Sequence, residues 1–123
     1  MRFPEPERRA HPRYRLDAMY TSLVAHHEEG DESLVGHAYD ISQGGVRIEL
    51  DEPITEGTHL FVDLTLPGAV TGIQVCGEVV WVADVEDDPG PRRMALSFSV
   101  FRDQTHLQRL VSYLDYAQSR NAA

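Results

Sequence analysis

The stretch that decides the fold spans residues 40–50 and reads Asp40-Ile41-Ser42-Gln43-Gly44-Gly45-Val46-Arg47-Ile48-Glu49-Leu50. Its first half favours a turn, because Asp and Ser side chains bond their own backbone and Gly accepts unusual dihedral angles. In its second half, the apolar residues Val46, Ile48 and Leu50 alternate with charged ones. Alternation with a period of two is typical of a strand that has one buried face. The stretch therefore predicts a turn that leads into a half-buried β-strand.

Similar strand-like segments lie on both sides of this stretch. One begins at Leu16, and the others cover residues 34–41, 60–66, 73–85 and about 93–101. Polar or Pro- and Gly-containing turns separate them, at residues 26–33, 52–57, 67–68 and 87–91. Gly77, inside the longest segment, indicates the bulge or bend that a closing barrel needs. Six short strands in about 90 residues, separated by tight turns, predict an all-β fold that is a small antiparallel barrel or sandwich.

Beyond residue 101 the period changes to that of a helix. Leu107, Leu110, Val111 and Leu114 form one apolar stripe, and Asp103 is a suitable N-cap. We therefore divide the chain into an N-terminal arm (residues 1–14), a barrel (15–103), a C-terminal helix (104–118) and a tail (119–123). The stripe fits packing on the barrel of its own chain and packing between two chains equally well, so a monomer and a homodimer both stay open.

Charge is distributed unevenly along the chain, whose net charge is −9. Residues 1–16 hold five Arg and two Glu, a local charge of +3, whereas residues 17–123 hold six Arg and 18 acidic residues, a local charge of −12. The acidic body argues against DNA and RNA as partners, because binding a polyanion depends on neutralising its phosphates. A compact cationic arm on an acidic body suits a small, doubly charged anion better.

Composition also indicates the cellular location of the protein. No stretch approaches the roughly 20 apolar residues of a membrane span, and the first residues lack the apolar run of a secretory signal. Cys76 is the only cysteine, which excludes an internal disulfide and a cysteine metal cluster. These features predict a cytoplasmic protein without membrane insertion.

Two short motifs carry the candidate chemistry. The arm contains Arg9-Ala-His-Pro-Arg13, an RxxxR spacing preceded by Arg8, and residues 40–45 form a DxSxxG spacing. Guanidinium forks bind phosphates or the O6/N7 edge of guanine, and a carboxylate accepts hydrogen bonds from the donors of guanine. In an extended arm Arg9 and Arg13 point the same way and lie roughly 13 Å apart. They can therefore hold different parts of one ligand.

In these two motifs, and in their order, the sequence resembles the PilZ domain family. The resemblance implies that the fold is a six-stranded antiparallel β-barrel of the PilZ type rather than a sandwich. It also implies a protein that binds the bacterial second messenger cyclic di-GMP, is not an enzyme and signals to a downstream effector protein. It implies a binding site that consists of Arg8, Arg9, Arg13, Asp40, Ser42, Gly44 and Gly45. Arg8, directly before RxxxR, resembles the arrangement that accepts two intercalated ligand molecules. No catalytic residue, metal ion or cofactor is expected.

Two other functions stay open at this point. One is a PilZ-fold adaptor that acts by protein contacts without cyclic di-GMP, and the other is a barrel that binds another nucleotide. An enzyme is disfavoured, because Ser42 lacks the context of a nucleophile elbow. His26 and His27 point to opposite faces of a strand, which is poor geometry for one metal ion.

The remaining residues of interest have structural interpretations. We interpret Cys76 as a core residue and Trp81 as barrel packing. Ala95 departs from the family, in which many members place a glycine in the last strand shortly before a phenylalanine. Arg92 and Arg93 are interpreted as part of a solvated turn, with phosphate contacts as the alternative.

Overall fold

The computed structural model describes residues 12–28, 32–52, 54–83 and 92–122. Its strands and helix are β1 (Tyr14–Arg15), β2 (Ser22–His27), β3 (Ser33–Ile41), β4 (Gly45–Leu50), β5 (His59–Thr65), β6 (Ile73–Val82), β7 (Arg92–Phe101) and α1 (Gln104–Ala122). A 3₁₀ turn, Ala18–Tyr20, separates β1 from β2.

Six of these strands close into an antiparallel barrel. Neighbours follow the order β3, β2, β5, β6, β7 and β4, and β4 pairs with β3 to complete the ring. β1 is an extra strand that pairs with the last residues of β3, whereas β2 pairs with its first residues. The predicted six-stranded antiparallel barrel is confirmed.

The alternation seen in the sequence fills the barrel interior. Every strand of the ring contributes fully or almost fully buried apolar side chains, among them Leu23, Ile41, Ile48, Leu60, Val79 and Met94. The intervening side chains face outward and carry most of the charge. Removal of the apolar side chains from water is the main stabilising term for such a barrel.

Three β-bulges bend the strands where the barrel closes. Tyr39 is the extra residue on β3, because Ala38 faces Ile48 and Asp40 faces Arg47. On β6 and β7 the extra residues are Val80 and Ser99, the latter opposite the step from Cys76 to Gly77. The irregularity predicted at Gly77 is therefore present, but the additional residue lies on the partner strand. Bulges increase the local twist and change the direction of side chains.

The segment after Leu16 differs from its prediction as a strand. The backbone N–H of Tyr20 donates to the carbonyl of Asp17 at 2.9 Å, which closes the 3₁₀ turn. Buried Thr21 then donates from its hydroxyl to the carbonyl of Ala18 at 2.8 Å and accepts from the backbone N–H of Ala38 at 3.0 Å. These bonds favour a turn at residues 17–21, so the strand begins only at Ser22.

The C-terminal helix begins as predicted. The Asp103 carboxylate accepts a hydrogen bond from the backbone N–H of His106 at 3.2 Å, as an N-cap does. Leu110 and Leu114 join the barrel core, and buried His106 accepts from the backbone N–H of Gln74 through Nδ1 at 2.9 Å. The helix continues to Ala122 rather than ending at residue 118, since no Gly or Pro interrupts it. Within the described residues, no helix has both the length and the apolar character of a membrane span.

Candidate ligand-binding site

The pairing of β1 with β3 brings the two sequence motifs together. Tyr14 faces Ile41 and Arg15 faces Asp40 in antiparallel register, so Arg13, the residue before β1, lies at the end of β3 that leads into Ser42. The positive charge of exposed Arg13 acts on the carboxyl of Asp40. The end of the arginine motif therefore lies beside the DxSxxG motif. Arg8 and Arg9 lie outside the described residues.

Ser42 and Gly44 build the turn between β3 and β4. The backbone N–H of Ser42 donates to the carbonyl of Gly45 at 2.8 Å, and the backbone N–H of Gly44 donates to the Ser42 hydroxyl at 3.2 Å. The carbonyl of Gly44 accepts from the backbone N–H of Phe98 at 2.9 Å, which attaches the turn to β7. These bonds hold the loop in one shape, with Gly44 exposed at its tip.

Gly45 has a packing role that the sequence does not reveal. It lies opposite Ser97 in β7, and a Cβ atom at Gly45 would collide with the backbone carbonyl oxygen of Leu96. Only glycine permits this close approach of two strands. The expected role of Gly45, access of a ligand to the backbone, is therefore not needed to explain why the motif ends in glycine.

Asp40 is a partly buried carboxylate among three arginines. Burial raises the pKa of Asp40, and the positive charges of Arg13 and Arg15 offset part of that rise. Arg47, which faces Asp40 across β3 and β4, brings Nη1 to 3.4 Å from Asp40 Oδ2. This distance exceeds the 2.7–2.9 Å of a tight charge-assisted bond, and the Arg47 side chain is 41% exposed. The carboxylate thus keeps acceptor capacity, and Arg47 can turn towards an anion.

Arg47 is the site residue that the sequence interpretation missed. The pairing of Arg47 with Asp40 could have been predicted, because two residues at equal distance from a tight turn face each other across the hairpin. Asp40 and Arg47 follow directly after the pair Ile41 and Val46, on the turn side of the bulge, so the bulge at Tyr39 shifts only the pairs beyond them.

A continuous outer row extends from this pair across the barrel. Strand partners in the row, from β1 to β6, are Arg15, Asp40, Arg47, Ala95 and Trp81. The interpretation of Trp81 as barrel packing is wrong, since its side chain is 46% exposed. The reason is the bulge at Val80, because one extra residue turns the next side chain from the core face to the outer face. An exposed indole that shares a row with two arginines suits the stacking of a nucleobase.

Ala95 separates Arg47 from Trp81 in this row. Its side chain is a single methyl group, so the alanine that replaces the family's glycine adds little bulk between the charged and the aromatic side chains of the row.

The other candidates offer no reactive or metal-binding group. Cys76 is half-buried and points to the outer face, opposite Phe61 and Val100, so its interpretation as a core residue is wrong. Burial raises the pKa of the Cys76 thiol, with a further rise from the charge of Glu28, so the reactive thiolate is disfavoured. Within the part of the chain that the structure describes, no three His, Cys, Asp or Glu side chains are placed to share a metal ion.

Comparisons with solved structures support the same fold. The Bacillus subtilis inhibitor of motility (MotI/DgrA) superimposes with a TM-score of 0.67 at 17% identity, over 99% of this chain and 53% of that one. Escherichia coli YcgR in complex with c-di-GMP gives 0.67 at 17% identity, over 94% and 49%. This chain thus spans about half the length of those two chains. It covers 97% of the separate PilZ domain of YcgR with c-di-GMP, at a TM-score of 0.62 and 18% identity.

Comparisons by sequence give a family and no individual relative. No curated protein matches the chain significantly. The family model described as "PilZ domain" matches residues 7–116, which include the arginine motif, the whole barrel and most of α1. The chain therefore belongs to the PilZ domain family.

Proposed function

We propose that this chain is a receptor for cyclic di-GMP and not an enzyme. The observation that carries the proposal is the β1–β3 pairing, which brings the end of the arginine motif to Asp40, where the charge of Arg13 acts on the carboxyl. Membership of the PilZ family and the likeness to two structures that contain c-di-GMP support the same ligand.

The chemistry of the face fits a cyclic dinucleotide with two phosphates and two guanines. Arg13, together with Arg8 and Arg9 of the arm, provides guanidinium groups for phosphates or guanine edges. The carboxylate of Asp40 accepts hydrogen bonds from guanine donors, and the Ser42 hydroxyl serves a phosphate or a guanine amine. The backbone at Gly44 and Gly45 bounds the site at the turn.

The response to ligand follows from the charges of the arm. The arginines of residues 1–14 repel one another until the phosphates of the ligand neutralise them. We propose that binding then draws the arm across the Asp40–Gly45 face and changes the surface that an effector protein meets, as in other ligand-ordered switches. Such a receptor acts in the cytoplasm, where the second messenger is produced.

Calorimetric titration of the full chain with cyclic di-GMP tests this function. We expect a saturable heat signal, a raised thermal midpoint and a change in the fluorescence of Trp81, the single tryptophan of the chain. A ratio of two ligands per chain is expected from the position of Arg8, and a ratio of one would refute only that detail. GTP and cyclic AMP should compete poorly. Absence of both heat and thermal shift at ligand well above micromolar would favour the ligand-independent adaptor.

A further inference from the structure

The bulge on β3 places an aromatic ring at the edge of the candidate site. Tyr39 is the extra residue of this bulge and directly precedes Asp40. Because the bulge breaks the alternation of β3, the half-buried Tyr39 and Asp40 side chains both remain partly on the outer face. No motif in the sequence singles out Tyr39.

A guanidinium group lies on this ring. Arg93 Cζ is 5.1 Å from the centroid of Tyr39, and Arg93 Nε donates a 2.8 Å hydrogen bond to Glu49 Oε1. Glu49 and Arg93 face each other across β4 and β7, so the bond fixes the direction of the arginine side chain. The Arg93 side chain is nevertheless 61% exposed. The guanidinium therefore lies between the Tyr39 ring and solvent.

The Tyr39–Arg93 pair belongs to the same surface as the motif residues. Burial raises the pKa of Tyr39, and Arg93 and Arg13 lower it while Asp40 and Glu49 raise it further. The Tyr39 ring thus lies within electrostatic range of both Arg13 and Asp40. Arg93 also lies two residues from Ala95 on β7, next to the row that leads to Trp81.

We propose that the Tyr39–Arg93 pair is a platform for one guanine base of cyclic di-GMP. This inference rests on the proposed function and adds a contact that neither motif contains. Guanidinium planes stack on aromatic and nucleobase rings, and Arg does so while remaining charged. The contact with Tyr39 and the hydrogen bond to Glu49 limit the movement of the guanidinium, so a base can stack on it without first ordering a long side chain. The ligand thereby gains an additional fixed contact on the barrel, beside those of the arm.

Arg93→Ala, Arg93→Lys and Tyr39→Leu test the platform in the same calorimetric titration. Loss of base stacking is expected to weaken binding about tenfold to a hundredfold in Arg93→Ala. Arg93→Lys keeps the charge and loses the plane, so it should bind almost as weakly as Arg93→Ala. Tyr39→Leu should weaken binding by a smaller factor in the same direction. Thermal midpoints without ligand should stay close to that of the wild type, because exposed ion pairs contribute little to stability.

Arg102→Ala is the matched control. Arg102 is also exposed and donates one side-chain hydrogen bond, to Gln74 Oε1 at 2.5 Å, and its loss should leave the affinity unchanged. Wild-type affinity in Arg93→Ala would overturn the platform, and so would full rescue by Arg93→Lys, which would make Arg93 a point charge for phosphate. If the wild-type chain itself fails to bind, the proposed function fails, and this inference with it.

Discussion

Arg13→Ala is expected to weaken the binding of cyclic di-GMP by about a hundredfold or more. A guanidinium that donates two charge-assisted hydrogen bonds contributes about 3 kcal/mol, which corresponds to that factor. Arg13 is also the arginine of the motif that directly precedes β1, and its charge acts on Asp40, so few other groups can replace it. Isothermal titration of the variant and the wild type under the same salt conditions measures the effect.

Two further variants give this experiment its controls. Arg13→Lys keeps the charge without the bidentate fork, so an intermediate affinity is expected. Arg120→Ala removes an arginine near the C-terminal end of the sequence and should bind as the wild type does. Equal losses in Arg13→Ala and Arg120→Ala would mean that net charge alone governs binding, contrary to a site at the DxSxxG face.

Gly45→Ala is expected to destabilise the unliganded barrel by about 3 kcal/mol, an effect of the size that overpacking produces. The added methyl group would meet the carbonyl oxygen of Leu96, so β4 and β7 would have to separate where they close the ring. Urea-induced unfolding without ligand measures the change in the free energy of unfolding.

Gly77→Ala is the graded control for this prediction. Its Cβ would lie 3.1 Å from the carbonyl oxygen of Ser97, a tight contact that small shifts can relieve, so a smaller loss of stability is expected. If Gly45→Ala unfolds like the wild type but no longer binds cyclic di-GMP, the packing explanation of the glycine is wrong. The role expected from the sequence, close approach of the ligand, would then be correct.

The periodicity of the sequence was sufficient to predict the barrel. Alternation over residues 46–50 and its repeats located the strands, because only one face of each strand is buried. The helix start could also be predicted, since capping by Asp103 is a local interaction between neighbours in the chain. Local sequence patterns were therefore sufficient to predict most of the architecture.

Most of the missed features depend on how the strands pair, although Arg47 could have been found from the hairpin alone. Val80 and Tyr39 look like ordinary strand residues, yet each is a bulge that turns a neighbouring side chain outward. As a result Trp81 reaches the outer face, and Tyr39 and Asp40 both stay partly on it, although nothing local to these residues predicts this. Contacts such as that of Arg93 with Tyr39 join strands that are far apart in the sequence, so a pattern in one segment cannot reveal them.

The site prediction was limited in the same way. Asp40 and Arg13 were chosen for their chemistry, and the β1–β3 pairing now gives a geometric reason for their proximity. Gly45 was chosen for the same motif, but its tight contact with β7 is an alternative reason for the glycine. A motif therefore combines residues of different roles, and only the strand register separates them.

A two-dimensional ¹H–¹⁵N NMR titration of the labelled full chain with cyclic di-GMP tests the central claim most directly. We predict that the largest changes occur in the backbone amides of residues 13–15 and 40–45 and in the indole N–H of Trp81. Amides of β5 around Phe61 and of α1 should change little. Largest changes in β5 or α1, with the amides of residues 40–45 unchanged at saturation, would contradict a binding site formed by the arginine motif and the DxSxxG turn.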